Sequence, residues 1–176
     1  MSSPDTILDV LKKCFVEISN LIQYSNPLEM GKLSEKFNLS GDNAKKLDLL
    51  SNEILIDNLK KCTSIREIGS EEEEKLFKTQ YSDGKYMICF DPLDGSSNIG
   101  VNITTGTIFA LYKYKDGKIK DGTNIVMAGY CLYGGSTQLV VAQDTVKIFQ
   151  LNKSGIFDEK ESNWKIPDKG KYYSVK

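Results

Sequence analysis

The sequence contains no histidine. Without an imidazole, neither Ser-His-Asp nor Cys-His catalysis can be assembled within the chain, and a zinc site is a poor fit. Any catalytic chemistry must rest on carboxylates. Cysteine is scarce: Cys14, Cys62, Cys89 and Cys131 stand far apart and form no Cys-x-x-Cys pair. With no Arg-rich or signal-like N-terminus, they read as reduced thiols of a cytoplasmic protein. No apolar run approaches the roughly 20 residues that cross a bilayer. A net charge of −1 offers no electrostatic case for nucleic acid or for a membrane surface. Internal repeats and low-complexity linkers are missing as well.

What is present is an ordinary globular composition: 176 residues, 40% hydrophobic and 27% charged. Such a chain fits one domain and can bury roughly two-thirds of its unfolded surface, so its core needs no disulfide or structural metal. Ser3-Pro4 predicts a helix start, with Ser3 as N-cap and Pro4 in the first turn. Ile7, Leu11, Phe15, Ile18 and Ile22 follow at helical spacing on one face, a stripe suited to core or subunit contact. Pro27 is expected to end this helix, and residues 26–41 read as an irregular polar segment, a candidate mobile loop. A second helix is expected from Asn43 to Lys60, with Leu47, Leu50 and Ile54 as its stripe, widened by Leu49 and Ile56. Strands are expected at 64–68, 85–91, 104–114, 124–133, 136–143 and 146–151. Asp116-Gly117, Asp121-Gly122 and Gly134-Gly135 supply turns between several of them. Two helices followed by a meander of strands imply an α+β fold, the helices packed on a mostly antiparallel sheet.

The most informative stretch is Phe90-Asp91-Pro92-Leu93-Asp94-Gly95-Ser96-Ser97-Asn98. Pro92 cannot donate to a ladder, so the strand is expected to end near Asp91. Asp91 and Asp94 then stand at a strand end, followed at once by a turn of small polar residues. Carboxylates hold hard cations; clustered N–H groups and hydroxyls hold phosphate. A polar turn between strands uses the same residue types, but the whole run after an apolar strand favours metal-assisted phosphoryl chemistry. Two further acidic groups are candidates: Glu71 and Glu72 after Ile68-Gly69-Ser70, and Asp42 and Asp48 around the start of the second helix. Glu73 and Glu74 read as a solvated charge run. Asp42 by itself reads as an N-cap, and Asp48 as a partner for Lys45.

The nine-residue run resembles the signature of the fructose-1,6-bisphosphatase family, within the lithium-sensitive, magnesium-dependent sugar phosphatases. Ser70-Glu71-Glu72, Gly41-Asp42 and Lys46-Leu47-Asp48-Leu49-Leu50-Ser51-Asn52 resemble the same family. So do Gly106-Thr107-Ile108-Phe109 and Ala128-Gly129-Tyr130-Cys131-Leu132-Tyr133-Gly134, which by themselves read as core strands. The resemblance implies that Glu71, Asp91, Asp94 and the Leu93 carbonyl hold metal. It implies that Glu72 orients the attacking water, with Asp42 and Asp48 in its activation, and that Gly95, Ser96 and Ser97 hold the 1-phosphate. The implied cofactor is Mg²⁺, two ions or more, with Mn²⁺ possible. Lys85-Tyr86 resembles the family's nucleotide-site pair, but Thr123 stands where the family has an arginine, so weak AMP regulation is expected.

The implied activity is hydrolysis of fructose 1,6-bisphosphate to fructose 6-phosphate and phosphate in gluconeogenesis, by a homo-oligomer in its full-length form. Residues 1–176 are expected to be the family's N-terminal domain, with its C-terminal α/β domain absent and the chain alone inactive. Asn98-Ile99 looks more like the fructose enzyme than its sedoheptulose-1,7-bisphosphatase relative. A non-catalytic sugar-phosphate-binding fragment is the alternative of a different class, and a generic α+β structural protein a third.

Overall fold

The structure is a computed structural model that describes residues 3–24, 43–101, 103–160, 164 and 168–170. The expected helix stop at Pro27, the segment 26–41 and Asp42 lie outside the described residues. Among the described residues two α-helices, α1 (Pro4–Tyr24) and α2 (Asn43–Leu59), precede eight strands. The strands are β1 (Ile65–Ser70), β2 (Phe77–Lys78), β3 (Tyr86–Asp94), β4 (Thr105–Lys113), β5 (Ile125–Tyr133), β6 (Thr137–Ala142), β7 (Val146–Leu151) and β8 (Phe157–Lys160). They form one sheet in the order β2-β1-β3-β4-β5-β6-β7-β8. Every neighbouring pair is antiparallel except β1 and β3, which run parallel. The α+β architecture and mostly antiparallel sheet are those the sequence implies. Among the described residues no helix is long and apolar enough to cross a membrane.

The α1 stripe is core: Ile7, Leu11, Phe15 and Ile18 are buried, and Phe15 meets Phe109 of β4 with ring centroids 5.8 Å apart. Ser19, one position past the stripe, shares a buried hydrogen bond of 2.6 Å with Thr137 of β6. The α2 stripe differs from expectation. The buried positions are Leu47, Ser51, Leu55 and Leu59, one turn apart, together with Asn52, whereas Leu49, Leu50, Ile54 and Ile56 are only half-buried. An apolar count around Leu49 and Leu50 is ambiguous, and the serine at position 51 hid the face that turns inward.

Two strands escape the sequence pattern. β2 has two residues and β8 has four, and β8 carries Asp158, Glu159 and Lys160 on an exposed edge. Short, charged edge strands resist pairing with other chains, and the same charge hides them from a hydrophobic alternation. β1 runs on through Gly69 to Ser70, past the expected end at Ile68, because β3 continues to pair with it. The Asp116-Gly117 turn forms as expected. Asp116 and Gly117 both take positive φ (51° and 72°), and Lys115 and Lys118 exchange two backbone hydrogen bonds of 3.0 Å, the geometry of a type I′ hairpin.

The helices cover one face of the sheet. The other face is largely apolar, with Ile108, Leu132 and Val146 exposed, and carries an open cleft of about 810 Å³ between β1 and β7. Truncation should separate the two readings of α2. Leu55→Ala should cost about 2–5 kcal/mol, as core leucines do, and Leu49→Ala less than half as much. Urea denaturation of the two variants checks this; equal losses would mean that the helix is rotated from the described packing.

Candidate active site

Residues three apart on a regular strand point to opposite faces of the sheet. Asp91 and Asp94 nevertheless share one face, because β3 contains a bulge between them. Opposite Asp91 on β4 lies Ile108, and opposite Asp94 lies Gly106, so Pro92 and Leu93 together face Thr107 alone. Pro92 and Leu93 are both buried while Asp91 and Asp94 turn outward. The expected strand end at Asp91 is therefore corrected: β3 continues to Asp94. Proline is accepted because a bulge leaves one residue without a ladder bond, and Pro92 has no N–H to leave unpaired. The Leu93 N–H donates to Asp91 Oδ1 (3.1 Å), and the Thr107 hydroxyl donates to the Pro92 carbonyl (2.8 Å).

The parallel pairing of β1 with β3 brings the second acidic group alongside. Ser70 pairs with Phe90 in register, and the Glu71 N–H donates to the Phe90 carbonyl at 3.0 Å. Glu71 and Asp91 thus leave adjacent strands at the same level. Asn52 of α2, almost fully buried, ties this loop down. It accepts from the Ser70 hydroxyl (2.7 Å) and donates to Glu73 (3.0 Å), while Ser70 Oγ accepts from the Glu72 N–H (3.3 Å). Glu73 is exposed, as expected of a solvated run, but it is also paired with Asn52. Asn52 was visible only as the last residue of the Leu50-Ser51-Asn52 motif; nothing in its spacing announced a structural bridge.

Past Asp94 the chain turns at Gly95, whose φ of +77° suits only a residue without Cβ strain. A 3₁₀ turn, Ser96–Val101, follows, and the Asn98 N–H donates to the Gly95 carbonyl (2.9 Å). The first N–H groups of such a turn have no partner within it. The Ser96 hydroxyl donates to Asp48 Oδ2 at 2.7 Å, which links the turn to α2. Asp48 therefore faces the turn and accepts from Ser96; the expected pairing with Lys45 falls on a side chain that lies outside the described residues. Ser97 is exposed.

Asp48, Glu71, Glu72, Asp91 and Asp94 consequently share one electrostatic neighbourhood. Partial burial pushes the Asp91 carboxyl above its ordinary range, and the charges of Asp94, Glu71 and Asp48 add to that, against the Leu93 N–H, which pulls it down. Glu72 is raised too, by desolvation first and then by Asp48, Glu71 and Asp91. Among the described residues no three carboxylates surround one point at metal-ligating spacing; the five form a field of negative charge around an opening. Asp42 lies outside the described residues. The broad cleft on the sheet face reaches this site only at its rim, where Ser70, Glu71 and Asp91 stand, and the rest of its lining is apolar.

Comparison with known proteins points the same way. Residues 4–161 match the family model described as Fructose-1-6-bisphosphatase, N-terminal domain. A fructose-1,6-bisphosphatase class 1 of Sulfurihydrogenibium sp. (strain YO3AOP1) is 42% identical, over 81% of this chain and 46% of that protein. Fructose-1,6-bisphosphatase 1 of Mus musculus is 36% identical over 96% of this chain and 53% of its own length. A crystal structure of Leishmania major fructose-1,6-bisphosphatase in holo form superposes with a TM-score of 0.76 and 31% identity, covering 93% of this chain and 52% of that one. The chain spans about half the length of the curated relatives it matches.

The raised carboxyls have a sign that can be tested. A folded pKa above the unfolded value means that the folded chain keeps protons that the unfolded chain releases. This costs nothing below the unfolded value, about 4, and destabilises increasingly as pH rises through the folded value. Asp91→Asn removes one crowded charge and keeps an oxygen for the Leu93 N–H. Its stability relative to the unmodified chain should therefore increase between about pH 4 and pH 7. Urea denaturation at both pH values measures the difference; a decrease with pH would contradict the crowding.

Proposed function

The chain belongs to the fructose-1,6-bisphosphatase family, and from that premise we propose that the full-length protein hydrolyses the 1-phosphate of fructose 1,6-bisphosphate, giving fructose 6-phosphate and phosphate. The observation that carries this reading is the five-carboxylate field at the shared end of β1 and β3, directly beside the Gly95 turn. Residues 1–176 are the N-terminal domain of that protein, and the activity requires the rest of the relatives' length. The protein works in the cytoplasm as a homo-oligomer.

The donor set fits hard divalent cations. It consists of carboxylate oxygens with no histidine or cysteine among them, and two of its members, Asp91 and Glu72, are raised by desolvation and by acidic neighbours, a cost that a bound cation would offset. Glu71, Asp91, Asp94 and the Leu93 carbonyl are the groups that would hold Mg²⁺, two ions or more, or Mn²⁺. When bound, such ions polarise the phosphoryl oxygens and lower the pKa of a bound water. Glu72 orients the attacking water, supported by Asp48 and Asp42. Glu72 suits that task because desolvation, and then the charges of Asp48, Glu71 and Asp91, raise its proton affinity above that of an ordinary glutamate. Backbone N–H groups of Gly95, Ser96 and Ser97 and the Ser97 hydroxyl hold the 1-phosphate, while the Ser96 hydroxyl proton is engaged by Asp48. Charge building on the transferred phosphoryl group meets fixed donors, and no covalent intermediate with the protein is needed.

AMP inhibits weakly on this reading, because the Thr123 hydroxyl and N–H are both committed to Asp121 and neither supplies a guanidinium's charge. Sedoheptulose 1,7-bisphosphate is the competing substrate, and turnover of the two sugars side by side distinguishes them. The central test is Asp94→Asn in the full-length protein. Mg²⁺-dependent phosphate release should fall by about 10²–10³-fold, as expected when a charged group that stabilises the transition state is lost. Near-normal turnover would remove Asp94 from the metal site. The 176-residue chain alone should release phosphate far below the roughly 10 s⁻¹ of a typical enzyme.

A further inference from the structure

We propose that Thr107 and Tyr133, two buried residues of the sheet core, are positioning residues that lock the Pro92-Leu93 bulge and so hold Asp91 and Asp94 on one face. This inference rests on the metal-site reading of those aspartates. Its geometry stands apart from it.

Thr107 is fully buried and is the one β4 residue facing the two bulge residues. Its Oγ1 lies 2.8 Å from the Pro92 carbonyl and 2.7 Å from the Tyr133 hydroxyl. A carbonyl can only accept, so the single Thr107 proton goes to Pro92. The Tyr133 hydroxyl must then donate to Thr107. The direction of the chain is fixed: Tyr133 Oη–H to Thr107 Oγ1–H to Pro92 carbonyl. Burial keeps the phenol protonated, as that role requires. Hydrogen bonds in series in a dry environment strengthen one another, and leaving the buried Pro92 carbonyl without Thr107 is costly.

The function of the lock follows from the period of the strand. A regular β3 would send Asp91 and Asp94 to opposite faces, and a bulge that slides by one residue would turn one of them into the core. The Leu93 N–H bond to Asp91 fixes the bulge from its polar side. Thr107 fixes it from the buried side, where no solvent can substitute. Nothing about the Gly106-Thr107-Ile108-Phe109 strand demands a hydroxyl for packing; valine has nearly the same shape.

The test measures metal binding as well as turnover. Mn²⁺ binding to the 176-residue chain is followed by the loss of the free-ion electron paramagnetic resonance signal, below the melting temperature of each variant. Thr107→Val should weaken Mn²⁺ by about tenfold, the scale of one lost buried hydrogen bond. Thr107→Ser should restore affinity to within about twofold, and Tyr133→Phe should fall between them. Met127→Ala, a buried site on β5 six residues from Tyr133 and paired with Leu111 rather than with the Thr107 row, should lower the melting temperature without weakening Mn²⁺. In the full-length protein Thr107→Val should lower kcat at saturating metal, with Thr107→Ser again rescuing. If the unmodified chain binds Mn²⁺, Asp94→Asn abolishes binding and Thr107→Val binds normally, the lock is refuted and the metal site stands. If Asp94→Asn binds as the unmodified chain does, the metal-site reading fails and the proposal with it. If Thr107→Val does not fold, Tyr133→Phe decides: unchanged Mn²⁺ affinity in that variant overturns the relay.

Discussion

One extra residue in β3 governs this structure. The side chains of a strand alternate with a period of two, so a pair of ligands three apart cannot face the same way without a break in the alternation. The bulge at Pro92-Leu93 is that break. It sends two adjacent apolar groups into the core, where Leu93 is almost wholly buried, and leaves both carboxylates at the surface. Packing and function are thereby joined. The burial that anchors Leu93 also sets the direction of Asp94, and any change that straightened β3 would put a charge where the core is.

A second constraint brings the other acids to the same point. Among the described residues β1 and β3 form the only parallel pair in an otherwise antiparallel sheet, and parallel neighbours end on the same side. Glu71 and Asp91 issue from matched positions because Ser70 pairs with Phe90. α2 then closes the arrangement from the helical side, through Asn52 to Ser70 and Glu73 and through Asp48 to Ser96. Desolvation first, and then the like charges that backbone register draws together, raise the Asp91 and Glu72 carboxyls. Strain of this kind is typical of sites built for a ligand of opposite charge.

The sequence marked its candidate residues more readily than the geometry that holds them. Asp91 and Asp94 declare themselves through Pro92 and the glycine and serines that follow, because those residue types are restricted in what backbone they accept. The absence of histidine narrowed the donor set further. Periodicity found α1, where Ile7, Leu11, Phe15 and Ile18 repeat cleanly, and misjudged α2, where Ser51 and Asn52 are buried for hydrogen bonds and packing that no apolar pattern records. Proline suggested a strand end at Asp91, since local propensity cannot distinguish a terminus from a bulge; the pairing of Asp94 with Gly106 decides it, and that is a contact with another strand. β2 and β8 were illegible for the same reason. Two- and four-residue edges are strands only because a neighbour pairs with them.

The repulsion and the bulge together explain why the frame is rigid where its charges are least comfortable. A flexible loop bearing Asp91, Asp94, Glu71 and Glu72 would relax by moving its carboxylates apart into water. Here each is prevented by a bond made elsewhere. The Leu93 N–H and the Thr107 hydroxyl hold the bulge, the Phe90 carbonyl holds the Glu71 backbone, and Asn52 holds the loop between β1 and β2. Of those four carboxylates these bonds use only one Asp91 oxygen, which accepts from Leu93; the carboxylates they engage elsewhere are those of Glu73, with Asn52, and Asp48, with Ser96. The stabilising interactions are therefore separate from the groups left free to act. That separation is what preorganisation requires: the cost of assembling the charges is met by folding, in the buried hydrogen bonds and the Leu93 contacts, before any ligand arrives.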